Sequence, residues 1–128
     1  MTHFAVAGLQ LELAAKDNLE IVRAEMERLK RRFPWVDMVV LGELSLRGPQ
    51  TSNAEPLPGP LEQSLCDIAR DLGLWFVPGS IHERDSDRIY NTAPVIDPSG
   101  RVVARYRKMF PFLPYEQGIT PGTEFVVF

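Results

Sequence analysis

The apolar residues of the first 77 positions switch repeatedly between a strand-like run and a helical spacing, and this alternation limits the fold more than any other feature. Phe4 to Leu11 is a short apolar stretch bounded by polar residues and predicts a strand. Val22, Met26, Leu29 and Phe33 recur at helical spacing, and Pro34 ends that helix. Val36 to Leu41 predicts a second strand. Its consecutive Val39, Val40 and Leu41 are the pattern of a strand covered on both faces. Leu61, Leu65, Ile68, Ala69 and Leu72 form the stripe of a second helix, opened by Pro60 and closed by Gly73. Leu74 to Val77 predicts a third strand. Strand, helix, strand, helix, strand specifies an α/β sheet with helices packed on it.

Finer signals fill in the rest. Asp17 followed by Glu20 reads as a capping box for the first helix. Lys30-Arg31-Arg32 closes that helix, where cations complement the macrodipole. Pro49 to Pro60 reads as a surface loop. Pro78-Gly79 breaks the third strand, Ile81 to Glu83 continues extended, and Asp85-Ser86-Asp87 is a turn. Ile89 to Ile96 and Arg101 to Tyr106 predict a hairpin joined by Asp97-Pro98-Ser99-Gly100. Antiparallel strands added to the early alternation make the expected sheet mixed. Glu124 to Phe128 predicts one more strand, and its bare apolar composition leads us to expect that more chain follows.

The chain's 128 residues are enough for about one domain. A net charge of −3 argues against a nucleic-acid partner. No apolar run reaches the length of a membrane span, and no basic segment precedes a long apolar one at the start. One cysteine, Cys66, permits no intrachain disulfide and fits a reducing compartment. The expectation is a cytoplasmic protein with no membrane partner.

Candidate chemistry gathers at a few positions. Glu43 lies just past the end of the second strand, where ligand and catalytic groups of α/β sheets collect. A partly desolvated carboxylate there can act as a general base, and a solvated loop glutamate is the plainer alternative. Lys108 follows the last hairpin strand and enters a stiff, aromatic loop with Pro111 and Pro114. A lysine held where water is partly excluded can stabilise an oxyanion. The alternative is a solvated basic edge shared with Arg105 and Arg107. Phe110, Phe112, Leu113 and Tyr115 carry enough apolar surface to line a pocket, and Glu116 closes the segment.

Other polar residues point elsewhere. Cys66 lies mid-helix beside Asp67, without the basic neighbour or helix N-terminus that activates a thiol, and reads as structural. His3 and His82 have no metal-ligand spacing. Ser45 and Ser80 lack a nucleophile-elbow setting, and no dinucleotide fingerprint follows Gly8. No pattern calls for a cofactor or metal. Asn91 falls inside a predicted strand, where asparagine is disfavoured, and reads as a buried structural hydrogen bonder.

Taken in order, these segments resemble the nitrilase superfamily, the carbon–nitrogen hydrolases. Val39 to Gly48, holding Glu43, looks like that family's glutamate segment, and Tyr106-Arg107-Lys108 resembles its lysine segment. Pro114-Tyr115-Glu116 followed by Thr120-Pro121-Gly122 is similar to the loop of its aliphatic amidase and formamidase branch. Leu57-Pro58-Gly59, Pro78-Gly79-Ser80 and Tyr90-Asn91-Thr92-Ala93 are secondary matches. The resemblance implies the N-terminal part of a four-layer α-β-β-α sandwich, paired into homo-oligomers. It implies attack by a cysteine thiolate on a small-molecule amide, or a nitrile, through a thioester. Glu43 is then the general base, Lys108 stabilises the oxyanion, and Glu116 positions substrate and lysine. The cysteine belongs to a segment beyond residue 128, so the 128-residue chain, a single domain cut before that segment, should be inactive alone. Two alternatives remain at this point: a short interaction or scaffold protein, and acyl transfer to an amine by the same residues.

Overall fold

A computed structural model of the chain describes residues 3–128. The chain runs β1 (Val6–Leu9), α1 (Leu19–Arg32), β2 (Met38–Leu41), α2 (Pro60–Leu72), β3 (Trp75–Val77), β4 (Ile81–Asp85), β5 (Arg88–Ile96) and β6 (Val102–Arg107), with a short 3₁₀ turn at Thr51–Asn53. β1, β2 and β3 pair in parallel, as strands joined by helices must. β5 pairs antiparallel with β3, β4 and β6, so the sheet is mixed, as the sequence indicates.

Both helices pack on one face of this sheet. Val39, Phe76 and Ile96 share that face across three strands, and each is completely buried. Val22 and Met26 of α1 and Leu61, Leu65, Ile68 and Ala69 of α2 close over them. Burying each large aliphatic side chain stabilises the fold by about 1.5–3 kcal/mol, so this cluster holds the layers together. The opposite face carries Val6, Met38 and Trp75 in one row and Gly8, Val40 and Val77 in the next. β2 is therefore buried at alternate residues only. Met38 and Val40 on its second face are only partly buried, which corrects the expectation of a strand enclosed on both sides.

Three further details differ from the sequence reading. The capping box at Asp17 does not form. Asp17 Oδ1 accepts the Leu19 N–H at 3.0 Å, but the N-cap is Asn18. Asn18 is buried and donates its amide to the carbonyls of Ala14, Lys16 and Ser45, tying two loops together. Phe33 leaves the core and meets Trp35 edge-to-face on the surface. Glu124 to Phe128 forms no strand because it joins no ladder; Phe125 and Val127 are exposed.

The hairpin turn forms as its composition dictates. Asp97 Oδ1 accepts hydrogen bonds from Ser99 N–H, Ser99 O–H and Arg101 N–H, which hold its carboxyl well below the usual carboxylate range despite some burial. α2 begins at Pro60, and Glu55 Oε1 accepts the Leu61 N–H at 2.8 Å. It ends at Gly73, whose φ of 61° suits glycine.

Candidate active site

The open face of the sheet carries the candidate site. β2 ends at Leu41, and the chain turns sharply through Gly42 and Glu43 into Leu44, whose φ of 55° is left-handed. A non-glycine residue there is strained and must be held. The Leu44 N–H donates to Ser80 Oγ at 3.2 Å, the Gly48 N–H donates to the Leu44 carbonyl, and Ser45 Oγ donates to the Gly42 carbonyl. Gly79 presses against this turn from the loop after β3. A Cβ at Gly79 would lie 1.7 Å from the Gly42 carbonyl oxygen, and its φ is +76°, so only glycine fits.

The hairpin supplies the other side. Ala93 pairs with Tyr106, and alternation puts Asn91 and Lys108 on that same open face. The same alternation sends Arg105 and Arg107 to the helix side. There Arg105 makes two hydrogen bonds to the buried Glu62 of α2. Arg107 grips the buried Glu83 and lies 3.8 Å over the Tyr90 ring. The three cations are thus no solvated edge. Two are structural ion pairs, and the third turns into the cleft.

Lys108 Nζ donates to Glu43 Oε1 at 2.8 Å and to Glu116 Oε2 at 2.6 Å. Asn91 Nδ2 donates to Glu43 Oε1 at 2.7 Å and to Glu116 Oε1 at 2.9 Å. The loop after β6 folds back so that Glu116 also accepts the Phe112 N–H. Burial opposes the charge on Glu116. The hydrogen bonds from Lys108, Phe112 and Asn91 outweigh it and hold the carboxyl at about 2. Burial likewise works against Lys108, and its two carboxylate partners overcome it and raise its pKa.

All three site residues expected from the sequence, Glu43, Lys108 and Glu116, meet in one cluster. They adjoin a cleft of 390 Å³ lined by Val77, Gly79, Ser80, Ala93 and Tyr106, with Glu43, Asn91 and Lys108 at its polar end. The expected aromatic wall is absent. Phe110, Phe112, Leu113 and Tyr115 are exposed, and Phe112 and Tyr115 stack on each other instead. The loop folds to deliver the Glu116 carboxylate, and its aromatic side chains find no described surface to pack on.

Cys66 lies in the core on the helix-covered face, so the sheet separates it from this cluster. Burial, with Glu62 and Asp67 nearby, pushes its thiol pKa up, away from the nucleophilic thiolate. Among the described residues no three metal-ligating side chains converge. Asn91 and Ser80 are the participants that sequence reasoning missed. An asparagine inside a strand was one visible signal for the first, and the family-like segments Tyr90-Asn91-Thr92-Ala93 and Pro78-Gly79-Ser80 pointed to both, but neither residue was assigned to the site.

The fold is that of a known family. Residues 4–127 match the family model described as carbon–nitrogen hydrolase, and the chain belongs to that family. Among individual proteins, it is 30% identical over 117 residues to the human omega-amidase NIT2, covering 88% of this chain and 42% of that one. The Pongo abelii omega-amidase NIT2 is 32% identical over 142 residues, covering all of this chain and 51% of its own. The crystal structure of Saccharomyces cerevisiae Nit3, a member of branch 10 of the nitrilase superfamily, aligns with a TM-score of 0.83 at 27% identity, over 94% of this chain and 49% of that one. An amidase from Nesterenkonia sp. shares the fold with a TM-score of 0.76 at 23% identity, over 95% of this chain and 49% of its own. The chain spans about half the length of the curated relatives it matches.

No described helix is long and apolar enough to cross a membrane.

Proposed function

We propose that residues 1–128 are the N-terminal part of a hydrolase domain that cleaves small-molecule amides, and that a cysteine outside this stretch supplies the nucleophile. The observation that carries this reading is Lys108 held between Glu43 and Glu116 on the open face of a carbon–nitrogen hydrolase sheet. In this reading the remainder of the domain lies over that face and brings the thiol to the cleft.

The chemistry follows from the donors. Glu43 takes the thiol proton, and the thiolate attacks the amide carbon. Lys108 has three N–H donors, two of them spent on carboxylates, so one is left for the developing oxyanion. Collapse of the tetrahedral adduct breaks the C–N bond, and the amine leaves with the proton from Glu43. Water then attacks the thioester, with Glu43 again as base, and the acid departs as the thiol is restored. Glu116 stays ionised throughout and keeps Lys108 in place. The omega-amidase relatives favour an amide over a nitrile as the substrate.

Intact-mass measurement of the complete protein with a slowly turned-over amide tests this reading. The expected result is an acyl adduct on a cysteine outside residues 1–128. An adduct on Cys66, or hydrolysis with no cysteine needed, would remove the mechanism.

A further inference from the structure

Asn91 is only 2% exposed and sits in the middle of β5. Its amide nitrogen carries two hydrogens, and each has one acceptor, Glu43 Oε1 and Glu116 Oε1. Its backbone carbonyl accepts the Lys108 N–H at 2.8 Å. One residue therefore sets the positions of all three charged groups.

The consequence is an asymmetry between the two carboxylates. Glu116 has both oxygens occupied, Oε1 by Asn91 and Oε2 by Lys108 and the Phe112 N–H. Glu43 has one oxygen occupied twice, by Lys108 and Asn91, and among the described residues Oε2 accepts no hydrogen bond. We infer that Asn91 is a positioning residue for the proposed reaction, clamping Glu116 as a fixed anion and turning Glu43 so that Oε2 is its proton acceptor. The inference rests on the hydrolase reading and adds to it the atom that moves the proton and the residue that selects it.

Asparagine suits this task on chemical grounds. It places two donors on one nitrogen and brings no charge between two anions. Serine has one donor, and an ionised aspartate has none. The other groups facing Glu43 are Lys108 from the end of β6, Glu116 from the following loop, and the Ser80 and Tyr106 hydroxyls in the cleft lining. Neither hydroxyl bonds either carboxylate in the structure, so neither substitutes for Asn91.

Asn91→Ala and the isosteric Asn91→Asp, made in the complete protein, test this. kcat should fall about a hundredfold with KM within about threefold, because displaced catalytic groups cost the chemical step rather than binding. Carbon-13 NMR of labelled glutamate carboxyls should show Glu116 titrating above its value of about 2, toward the ordinary 4.5. A merely structural asparagine would lower the melting temperature yet leave the kcat of folded enzyme and the Glu116 titration unmoved, and that result overturns the inference. Should Asn91→Ala not fold, Asn91→Asp decides. Folded Asn91→Asp with near-normal kcat would overturn it equally. Glu43→Gln with full hydrolysis would overturn both readings; an inert Glu43→Gln beside normal Asn91 variants would overturn the clamp alone.

Discussion

Lys108 meets Glu43 across 65 residues of sequence, with Nζ 2.8 Å from Oε1. One residue follows a parallel strand and the other a hairpin strand, and only the mixed sheet brings their ends together. Half of the Glu43 side chain is exposed, whereas Lys108 and Glu116 are largely enclosed. A half-exposed pair of this kind contributes about 0–1 kcal/mol of stability, so the fold does not depend on it and its proposed chemical role can be tested by substitution.

Lys108→Ala in the complete protein should lower the rate of amide hydrolysis by at least about a hundredfold, as loss of an oxyanion donor does. Lys108→Arg should not restore it, because a planar guanidinium cannot present the same compact ammonium to both carboxylates. Steady-state kinetics of both variants check this. Activity within a few fold of wild type in Lys108→Ala would remove the oxyanion role.

Glu116 gives a pH dependence with a definite sign. Its folded-state value of about 2 lies below the ordinary 4.5, so its contribution to stability is complete above pH 4.5 and is lost as pH falls toward 2. Acid unfolding of Glu116→Gln should show a shallower loss of stability across that window than wild type. Lys108 works in the opposite direction. Its pKa is raised, so its contribution holds below 10.5 and disappears as pH climbs through the higher folded value. Equal acid slopes in wild type and Glu116→Gln would contradict the ionised anchor.

Much of the fold was legible in the sequence, because it depends on local period and turn chemistry. The alternation from Phe4 to Val77, the Pro60 start, the Gly73 stop and the Asp97–Gly100 turn all follow from residues close in the chain. What failed depended on distant partners. Asn18 displaces the cap at Asp17 because Ser45, after another strand, accepts its amide. The segment from Glu124 has strand composition but no neighbour to pair with. For the site, Glu43, Lys108 and Glu116 could be named from their segments, but the bridging by Asn91 could not. It requires the exact facing of β5 against a loop that closes 25 residues later.

Gly79→Ala tests the turn that carries Glu43. Its left-handed φ and the 1.7 Å approach to the Gly42 carbonyl should cost at least about 2 kcal/mol. Gly42→Ala is the control. Its Cβ would meet only Ser45 Oγ at 3.6 Å, and the loss should stay within about 1 kcal/mol. Denaturant unfolding of both checks this, and equal losses would show that the close approach does not hold the turn.

Cys66→Ala should leave turnover nearly unchanged and cost about 1 kcal/mol, as removal of a small buried group does. Inactivity with a normal melting temperature would mean that the buried thiol is the nucleophile after all.

The most direct measurement is hydrolysis of a small amide by the complete protein and by its Glu43→Gln variant, with folding monitored in both. The amide side chain keeps the shape of glutamate and can still accept from Lys108 and Asn91, but it cannot take a proton from a thiol. The expected result is a folded variant whose turnover is lower by at least about a hundredfold. A folded Glu43→Gln that hydrolyses the amide at the wild-type rate would contradict the role of the cluster at its centre.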